Sequence, residues 1–290
     1  MSFEPKLTED GSFTFFNHEL GEAFHSRAGA KLEAAQKFVK PCNIAEKARV
    51  NSRLCLLDIC YGLGYNSAAA LTTIQSINPE CCVELIALEI DLRVPRQAVE
   101  GQLLNGWPQT ICRSLTALAE SGEIKTPQLQ GKLLLGDARK TIQQVLNSPF
   151  RADAIFLDPF SPPKCPQLWT VEFLQLVAMC LAPTGRLATY SCAAPVRAAI
   201  GLTGLKFGST SRIGRRSPGT VAGKVATEIP PLSQQELEHL NTRAAVPYRD
   251  PQLKDSPQLI CQRRFAEQQA SYLEPTTRWK KRWSDYHDSK

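Results

Sequence analysis

The amino-acid sequence predicts an α/β protein built on a doubly wound, largely parallel sheet. The first observation is a series of short, nearly continuous apolar runs, which are typical of strands covered on both faces. These runs span residues 54–60, 82–91, 131–138, 152–158 and 185–191. The second observation is that helix-compatible segments lie between or after the runs, at 66–77, 171–182 and 194–204. Strands and helices that alternate in this way form βαβ units around a parallel sheet.

The 290 residues divide into a core and two extensions. We expect the core over residues 51–217, an N-terminal extension over 1–50 and a C-terminal extension over 218–290. The first extension contains a predicted strand, "SFTFFN", and a predicted helix, "GAKLEAAQKFV". The segment "RRSPGTVAGK" has a Pro-Gly break and is predicted to be a loop. A helix is predicted at "SQQELEHLNTRAA", and the tail ends with the basic stretch "TRWKKRW".

The net positive charge comes entirely from the last third of the chain. Residues 1–200 carry 19 basic and 19 acidic side chains, whereas residues 201–290 carry 15 and 9, which is the whole net charge of +6. This asymmetry indicates an anionic partner that contacts mainly the C-terminal part. A solvated basic surface without a partner is the alternative.

The cysteine pattern and the hydropathy predict a cytoplasmic protein. The ten cysteines include no C-x-x-C pair and no Cys/His cluster at zinc-finger spacing, so we expect reduced thiols and no zinc site. No apolar run approaches the roughly 18 residues that span a bilayer. The N-terminus lacks a basic segment followed by an apolar one, so no secretory signal is expected.

A glycine-containing turn follows the first predicted strand. The stretch "LLDICYGLGYNSAAA" places Asp58 at the strand end, followed by Gly62 and Gly64 and then a helix rich in small residues. Glycines let the backbone pass close to a ligand, and the N-terminus of the new helix points at it. A dinucleotide site would have a third glycine where Ser67 stands. The pattern therefore indicates another nucleotide-type cofactor, with a tight turn that binds nothing as the alternative.

Two further acids follow the next two strands. Glu89, in "LIALEID", lies where a carboxylate accepts the hydroxyls of a ribose, and Asp91 is a competing candidate. Asp137, in "LLLGDARKTI", is predicted together with Ala138 to bind an adenine, although Asp137 can equally cap a solvated helix that starts near Arg139. Because the carboxyl ends of parallel strands meet at one edge of a sheet, these acids together predict a cofactor site at that edge.

A proline-rich loop follows the fourth predicted strand. The stretch "DAIFLDPFSPPKCPQLW" ends the strand at Asp158 and continues with four prolines in eight residues. A carboxylate at this edge can orient a substrate amine and accept its proton. Aromatic rings in such a loop can stack on a nucleobase. The predicted substrate-binding residues of the loop are Phe160, Pro162, Lys164 and Trp169; for Phe160 and Trp169, a place in the core is the alternative.

Several of these stretches resemble the methyltransferase domain of MnmC-type tRNA wobble-uridine enzymes. "FLDPFSPPKCPQLW" is similar to the family's F-L-D-x-F-x-P-x-K-x-P-x-x-W signature, and "YGLGYN" to its aromatic-G-x-G-x-N cofactor loop. "GEAFHSRAGA", "APTGRLATYSCAAPVRAAIGLTGLKF" and "FGSTSRIGRRSPGTVA" are similar to further family segments. The similarity keeps the order of the motifs and covers most of residues 10–220.

The resemblance implies a class I S-adenosylmethionine-dependent methyltransferase with a Rossmann-like sheet. It implies conversion of 5-aminomethyl-(2-thio)uridine at the tRNA wobble position to the 5-methylaminomethyl form, with S-adenosyl-L-methionine as cofactor and neither metal nor flavin. It implies the tRNA anticodon arm as partner. Asp158 is the implied catalytic residue. The implied cofactor residues are Asp58, near the methionine end, and Tyr61, Gly62, Gly64, Asn66, Glu89 and Asp137.

Basic residues and a histidine complete the predicted substrate site. Arg212, Arg215 and Arg216 are predicted to contact the anticodon arm, and His25 and Arg27, in "AFHSRAG", are predicted pocket residues. A lone histidine can equally be structural. In "TRWKKRW" we expect Trp279 and Trp283, four residues apart, to dock on one helix face. The expected tRNA contacts of the tail are Arg278, Lys280, Lys281 and Arg282.

Three positions depart from the family pattern. Cys60 stands where a glycine is usual, Pro159 stands where the bifunctional enzymes have glycine, and Thr184 interrupts a P-G-G turn. The bifunctional members also carry a flavin oxidase domain, for which 290 residues leave no room, so a stand-alone methyltransferase is expected.

Two other functions stay open. Aminopropyl transfer to a small amine uses a related fold, but its glycine-rich loop and second acidic cluster are absent from the sequence. A non-catalytic RNA-binding protein is the second alternative, and the four strand-end acids argue against it.

Overall fold

The computed structural model of the chain describes residues 3–212 and 217–288. Its strands are β1 (Glu4–Leu7), β2 (Phe13–Asn17), β3 (Glu22–Ala23), β4 (Arg53–Ile59), β5 (Cys82–Glu89), β6 (Glu123–Lys125), β7 (Leu129–Leu135), β8 (Ala152–Leu157), β9 (Leu181–Thr189), β10 (Lys206–Ser209) and β11 (Thr220–Gly223). Its α-helices are α1 (Ala30–Glu33), α2 (Ile44–Val50), α3 (Tyr65–Ile77), α4 (Arg93–Glu100), α5 (Gln109–Ser121), α6 (Ala138–Leu146), α7 (Val171–Met179), α8 (Ala194–Leu202), α9 (Gln234–His239), α10 (Pro257–Ala270) and α11 (Thr276–Asp288). The helix α1 continues as a π-helical segment, Ala34–Val39.

The central sheet has β4 near its middle. The strand order is β10-β11-β9-β8-β4-β5-β7-β6. The pairs β4–β5, β5–β7, β4–β8 and β8–β9 are parallel, whereas β6 and β11 run antiparallel to their neighbours. The chain thus leaves β4 toward β5 and later returns to its other side through β8. This reversal brings the carboxyl ends of four consecutive parallel strands to one crevice, where open α/β sheets bind ligands.

Both faces of the sheet are covered by helices. Leu54 and Leu56 of β4 pack in one apolar cluster with Leu71 of α3, whereas Leu57 and Ile59 pack in a second cluster with α6, α7 and α8. This alternation follows from the two-residue period of a strand, and it explains why the runs are apolar at nearly every position. The five predicted core strands, the helices α3, α7 and α8, and the predicted α/β fold class are confirmed.

The strand β11 was not predicted from the sequence. The predicted loop over residues 215–224 is wrong at Thr220–Gly223, which pair with β9 on one side and β10 on the other. Ala222 and Gly223 have little intrinsic preference for strands, and the Pro-Gly pair before them favours a turn. Pairing on both sides overrides that local preference. The strand lies beyond residue 217, where the sequence predicts the end of the core.

The N-terminal extension forms a small antiparallel sheet of β1, β2 and β3. The rings of Phe3, Phe15 and Phe24 contact one another there, with centroids 5.5–6.1 Å apart. The predicted strand at "SFTFFN" corresponds to β2, and the predicted helix at "GAKLEAAQKFV" to α1 and its π-helical continuation.

The C-terminal extension packs on the core through α7. Thr170, which caps α7, forms a parallel bridge with Tyr248, and Tyr248 is buried in the second apolar cluster. Further along, Trp279 stacks on His239 at 4.2 Å, and Nε1 of Trp283 donates to Glu238 at 2.9 Å. The predicted docking of the two tryptophans is confirmed, since α11 uses them to pack against α9.

All ten cysteines lie in the described ranges and are free thiols, as the reduced state predicted from the sequence requires. Within those ranges, no helix combines the length and apolar character needed to span a membrane.

Candidate active site

A cavity of about 1350 Å³ opens at the carboxyl edge of the parallel strands. Glu89, Asp137 and Asp158, which end or follow β5, β7 and β8, contribute to its wall. Residues in and directly after the N-terminal sheet, including Phe24 and His25, also line the cavity. Three of the four predicted acids therefore meet in one cavity, as the strand order requires.

Asp58, the fourth acid, lies within β4 and is fully buried. Its Oδ2 accepts a hydrogen bond from Ser67 Oγ at 2.6 Å, whereas its Oδ1 has no hydrogen-bond partner among the described residues. Burial raises the pKa of Asp58 to about 7, although the hydrogen bonds from Ser67 oppose the increase. A buried carboxylate oxygen without a partner is costly. Asp58 is not among the described lining residues of the cavity, but it lies two residues before Cys60, which does line it, and its orphaned oxygen suits a cationic ligand group.

The turn after β4 has the backbone geometry expected of a cofactor loop. Gly62 has φ 57° and its N–H donates to Glu89 Oε2 at 2.8 Å. Gly64 has φ 84°, and a Cβ there would lie 2.5 Å from Tyr61 Oη. The glycine at position 64 is therefore required both by its conformation and by close packing. Gly62 lines the cavity, whereas Tyr61 and Gly64 are not among the described lining residues.

Cys60 explains one departure from the family pattern. Its φ is 67°, in the left-handed region that favours glycine. A glycine would adopt this conformation freely, whereas the cysteine adopts it with strain. Cys60 is one of the residues that line the cavity, and burial raises the pKa of its thiol well above the ordinary value.

Glu89 is the better placed of the two candidate ribose acids. It is nine-tenths buried and accepts hydrogen bonds from the backbone N–H groups of Gly62, Ile90 and Asp91, at 2.8–3.0 Å. Burial raises its pKa, although these hydrogen bonds oppose the increase. Asp91 also lines the cavity, but its carboxylate is engaged by Arg93 at 2.7 Å. Glu89 therefore presents a fixed, buried carboxylate, and Asp91 an ion-paired one.

Asp137 caps a helix, as the alternative role predicts, and also lies in the cavity wall. It caps α6 by accepting from the N–H of Arg139 at 2.9 Å, and it lines the cavity together with Ala138. Burial alone would raise its pKa, but hydrogen bonds from Arg139 lower it below the ordinary value. Asp137 is thus an ionised acceptor whose orientation depends on Arg139.

Asp158 follows β8 and lies in the cavity wall. Its Oδ2 accepts a hydrogen bond from Asn66 Nδ2 at 2.9 Å, and its N–H donates to the carbonyl of Ile59 at 3.1 Å. Asn66, predicted as a cofactor residue, is nearly buried and is not among the described lining residues. The structure therefore connects Asn66 to the predicted catalytic carboxylate.

The proline-rich loop is held by hydrogen bonds to its carbonyl groups. The carbonyl of Pro159 accepts from Tyr190 Oη, and that of Phe160 from Trp169 Nε1, each at 2.9 Å. Ser161 donates through both its N–H and its hydroxyl to Glu22 of β3. Pro159 itself is buried. The loop is thereby fixed to the core and to the N-terminal sheet.

The structure corrects two predicted substrate contacts in this loop. Trp169 is fully buried in the second apolar cluster, so the prediction that it stacks on a nucleobase is wrong. The loop folds back over the indole of Trp169, whose Nε1 donates to the backbone carbonyl of Phe160. Pro162 is also buried and is not among the described lining residues. Phe160 and Lys164 do line the cavity, and the Phe160 ring contacts Phe24 edge-on at 5.0 Å.

The N-terminal pocket residues lie where the sequence predicts. His25 and Arg27 both line the cavity. The His25 ring stacks on the Tyr65 ring with their centroids 5.2 Å apart, and His25 Nδ1 is 3.1 Å from Thr14 Oγ1. His25 therefore also has the structural role given as the alternative. Arg212 is exposed and is not among the described lining residues. Arg215 and Arg216 lie outside the described residues.

Several residues of the site were not predicted from the sequence. Glu22 reaches Ser161 across 139 residues, and Asp250 reaches Arg139 across 111. No local pattern signals contacts over such separations. The described residues contain no group of three or more His, Cys, Asp or Glu side chains arranged to hold a metal ion.

Comparisons with known proteins agree with this geometry. A family model described as S-adenosyl-L-methionine-dependent methyltransferase matches residues 99–225. The crystal structure of MNMC2 from Aquifex aeolicus superposes with a TM-score of 0.82 at 36% sequence identity, covering 93% of this chain and 86% of that one.

Curated relatives extend the comparison. An uncharacterised protein of Methanocaldococcus jannaschii is 31% identical over 252 residues, which are 84% of this chain and 66% of the relative. The tRNA 5-methylaminomethyl-2-thiouridine biosynthesis bifunctional protein MnmC is 26% identical over 70% of this chain in Methylibium petroleiphilum and 29% identical over 66% of it in Azoarcus. The chain spans about a third of the length of these MnmC proteins, 32% and 31%.

The cofactor of this family fits the residues at the sheet edge. S-adenosyl-L-methionine carries a cationic methionine end, which suits the orphaned carboxylate oxygen of Asp58. Its ribose suits the buried carboxylate of Glu89, and its adenine suits the region of Asp137 and Ala138. The strand order, the cofactor turn and the similarity along 93% of the chain converge. The chain belongs to the MnmC-type family of S-adenosyl-L-methionine-dependent methyltransferases.

Proposed function

We propose that this methyltransferase modifies the exocyclic amine of 5-aminomethyl-(2-thio)uridine at the wobble position of tRNA, giving the 5-methylaminomethyl nucleoside. The observation that carries the proposal is the position of Asp158. Its carboxylate lies in the cavity wall, is held by Asn66, and begins a loop that faces the N-terminal sheet. A fixed carboxylate of this kind suits an amine better than it suits an acidic or apolar substrate.

In the proposed mechanism the cofactor, when bound, supplies an electrophilic methyl group. Asp158 accepts a hydrogen bond from the neutral amine and directs the nitrogen lone pair at that methyl group. The methyl group would pass from the sulfonium sulfur to this nitrogen in a single displacement, and the resulting ammonium group would give its extra proton to Asp158 or to water. The hydrogen bonds from Tyr190 and Trp169 keep the loop from moving the carboxylate.

The wobble nucleoside would enter between the proline-rich loop and the N-terminal sheet. Phe160 and Phe24 present aromatic surface there, and Lys164 and Arg27 present cationic side chains. Aromatic surface and cations together suit a splayed-out base and its phosphates. The MnmC relatives are named for tRNA 5-methylaminomethyl-2-thiouridine biosynthesis, which supports tRNA as the substrate.

The proposal is tested with purified protein, labelled S-adenosyl-L-methionine and three acceptors. These are tRNA that carries 5-aminomethyluridine, the same tRNA with unmodified uridine, and the small amine spermidine. We expect label only in the first, in a nucleoside with the mass of 5-methylaminomethyluridine. Transfer to spermidine alone would identify a small-amine enzyme, and tRNA binding without cofactor binding would identify a non-catalytic RNA-binding protein.

A further inference from the structure

The C-terminal extension reaches the cofactor cavity. Pro257, the first residue of α10, lines the cavity, as Asp137 and Arg139 do. Asp250, in the segment before this helix, is fully buried. An unpaired buried carboxylate is rare in proteins because its desolvation is costly, so the contacts of Asp250 are informative.

Arg139 connects Asp250 to Asp137. Its Nε and Nη2 donate to the carboxylate of Asp137 at 2.7–3.1 Å. Its Nη1 donates to Asp250 Oδ2 at 2.8 Å and to the carbonyl of Asp255 at 3.0 Å. The planar guanidinium is thus held on two sides, and it fits this geometry in a way that an ammonium group does not.

Asp250 is itself fixed to the core. Its Oδ1 accepts from the N–H groups of Lys254 and Asp255, at 3.1 and 3.2 Å. Its own N–H donates to Glu172 of α7 at 2.8 Å. Because every one of these bonds involves the backbone or an acid on a core helix, Asp250 has one orientation, and Arg139 cannot turn away without leaving a buried charge unpaired.

We propose that Asp250 is a positioning residue for the adenine end of the cofactor and that the C-terminal extension thereby contributes to cofactor specificity. Asp250 acts through Arg139, which orients the carboxylate of Asp137 as an acceptor for the adenine amino group. The inference rests on the placement of adenine near Asp137 in the cofactor site. It does not depend on the identity of the methyl acceptor.

The variant D250N separates this role from simple stabilisation. An asparagine keeps the size of the side chain, but its NH2 group must face either Arg139 Nη1 or the two backbone N–H groups. Either orientation sets a donor against a donor. Arg139 then loses its fixed position, and Asp137 loses the partner that orients it.

The test is calorimetric titration of the full chain with two ligands, S-adenosylhomocysteine and S-inosylhomocysteine, which has an oxygen in place of the adenine amino group. The wild type should bind the first more tightly, because a site built to accept from an amino group rejects the analogue that lacks it. In D250N the affinity for S-adenosylhomocysteine should fall about tenfold, the size expected for one charge-assisted hydrogen bond. The affinity for the inosine analogue should change little.

The control is E274Q, which removes the ion pair of Glu274 with Arg282 elsewhere in the same extension. It should leave both affinities unchanged. If D250N is not folded by circular dichroism, R139K takes its place with the same expected result. Equal weakening of both ligands, unchanged preference in the folded variant, or no preference in the wild type would each overturn the proposal. Because no tRNA is present, failure of the proposed tRNA reaction does not affect the outcome.

Discussion

The side-chain amide of Asn66, in the first turn of α3, donates to Oδ2 of Asp158, at the end of β8, over 2.9 Å. The helix that follows the cofactor turn and the strand that precedes the substrate loop are therefore joined at their functional ends. In the proposed reaction, this bond helps to hold the Asp158 carboxylate in place for the substrate amine.

Replacing Asp158 by Ala should lower kcat by about 100-fold or more, the usual contribution of a positioned acid or base. Replacing Asn66 by Ala should lower kcat less, by about tenfold, because the carboxylate remains but is no longer held. Cofactor affinity, measured by calorimetry, should stay close to the wild-type value in both. A large loss of cofactor affinity in the Asn66 variant, with kcat preserved, would instead show that Asn66 binds the cofactor, as the resemblance implies.

Cofactor affinity should rise between about pH 6 and pH 8. Burial raises the pKa of Asp58 to about 7 in the free protein, so the carboxyl is partly protonated near neutrality. A cationic methionine end favours the ionised form, so binding should release protons near pH 7. Titrations in buffers of different ionisation enthalpy would measure this release.

D58N provides the control for the pH dependence. It should bind the cofactor weakly and release no protons on binding over the same pH range. Because the folded-state pKa of Asp58 is raised, its ionisation disfavours the fold as the pH increases from about 4 to 7. The cofactor-free D58N protein should therefore gain thermal stability relative to the wild type at pH 8. A wild-type affinity that does not vary with pH contradicts the assignment.

Gly64 to Ala should destabilise the protein more than Gly122 to Ala. Both glycines have φ near 80°, so each substitution costs about 1–2 kcal/mol of backbone strain. At Gly64 the new Cβ also meets Tyr61 Oη at 2.5 Å, whereas at Gly122 no atom lies within 4 Å. Denaturant unfolding gives the free energy of unfolding of each variant. The difference between the two values reports the effect of the close packing at position 64 alone. Equal losses of stability would show that Tyr61 moves aside without cost.

The contact between Glu22 and Ser161 should matter for turnover more than for cofactor binding. Glu22 accepts two hydrogen bonds from Ser161, and these join the N-terminal sheet to the substrate loop. E22A and S161A should each lower kcat. The kcat of the double variant should equal that of the less active single variant, since both substitutions remove the same interaction. Additive effects would mean that the two residues act independently.

The cations of α11 should contribute to tRNA affinity through phosphate contacts. Changing Arg278, Lys280 and Lys281 together to Gln should weaken binding. It should also make the fall of log affinity with log salt concentration less steep, reducing the magnitude of the slope by about 2. Arg282 is excluded because it pairs with Glu238 and Glu274. Fluorescence anisotropy at several salt concentrations measures the slope.

A matched triple variant elsewhere on the surface controls for net charge. Arg113, Lys125 and Lys132 are exposed and lie on or beside the β6–β7 side of the sheet. Their replacement by Gln removes the same charge and should leave the slope nearly unchanged. Equal slopes for the two triple variants would assign the effect to overall charge rather than to α11.

The fold and the acids of the site were predictable because their signals are local. A continuous apolar run marks a doubly covered strand, and the parallel arrangement then brings the residues at the strand ends together. Asp58, Glu89, Asp137 and Asp158 follow from this reasoning. The turn glycines follow as well, since positive φ and close packing leave few alternatives to glycine.

The remaining features depend on contacts that no local pattern encodes. Trp169 ends the proline-rich stretch, where an aromatic ring can be either exposed or buried. Its burial depends on how the loop folds over it. Asn66 lies in the cofactor motif, yet its partner is on another strand. Asp250 is an ordinary acid in the sequence and gains its role only because the extension returns to the core at α7.

The central claim is that Asp158 directs the amine of a wobble nucleoside to the methyl donor. The most direct measurement is mass spectrometry of nucleosides from tRNA carrying 5-aminomethyluridine, after incubation with S-adenosyl-L-methionine and either the wild type or the Asp158 to Ala variant, each saturated with cofactor. We predict 5-methylaminomethyluridine at the wobble position with the wild type and almost none with the variant. Absence of this nucleoside with folded, cofactor-bound wild type, or equal amounts with both proteins, would contradict the account.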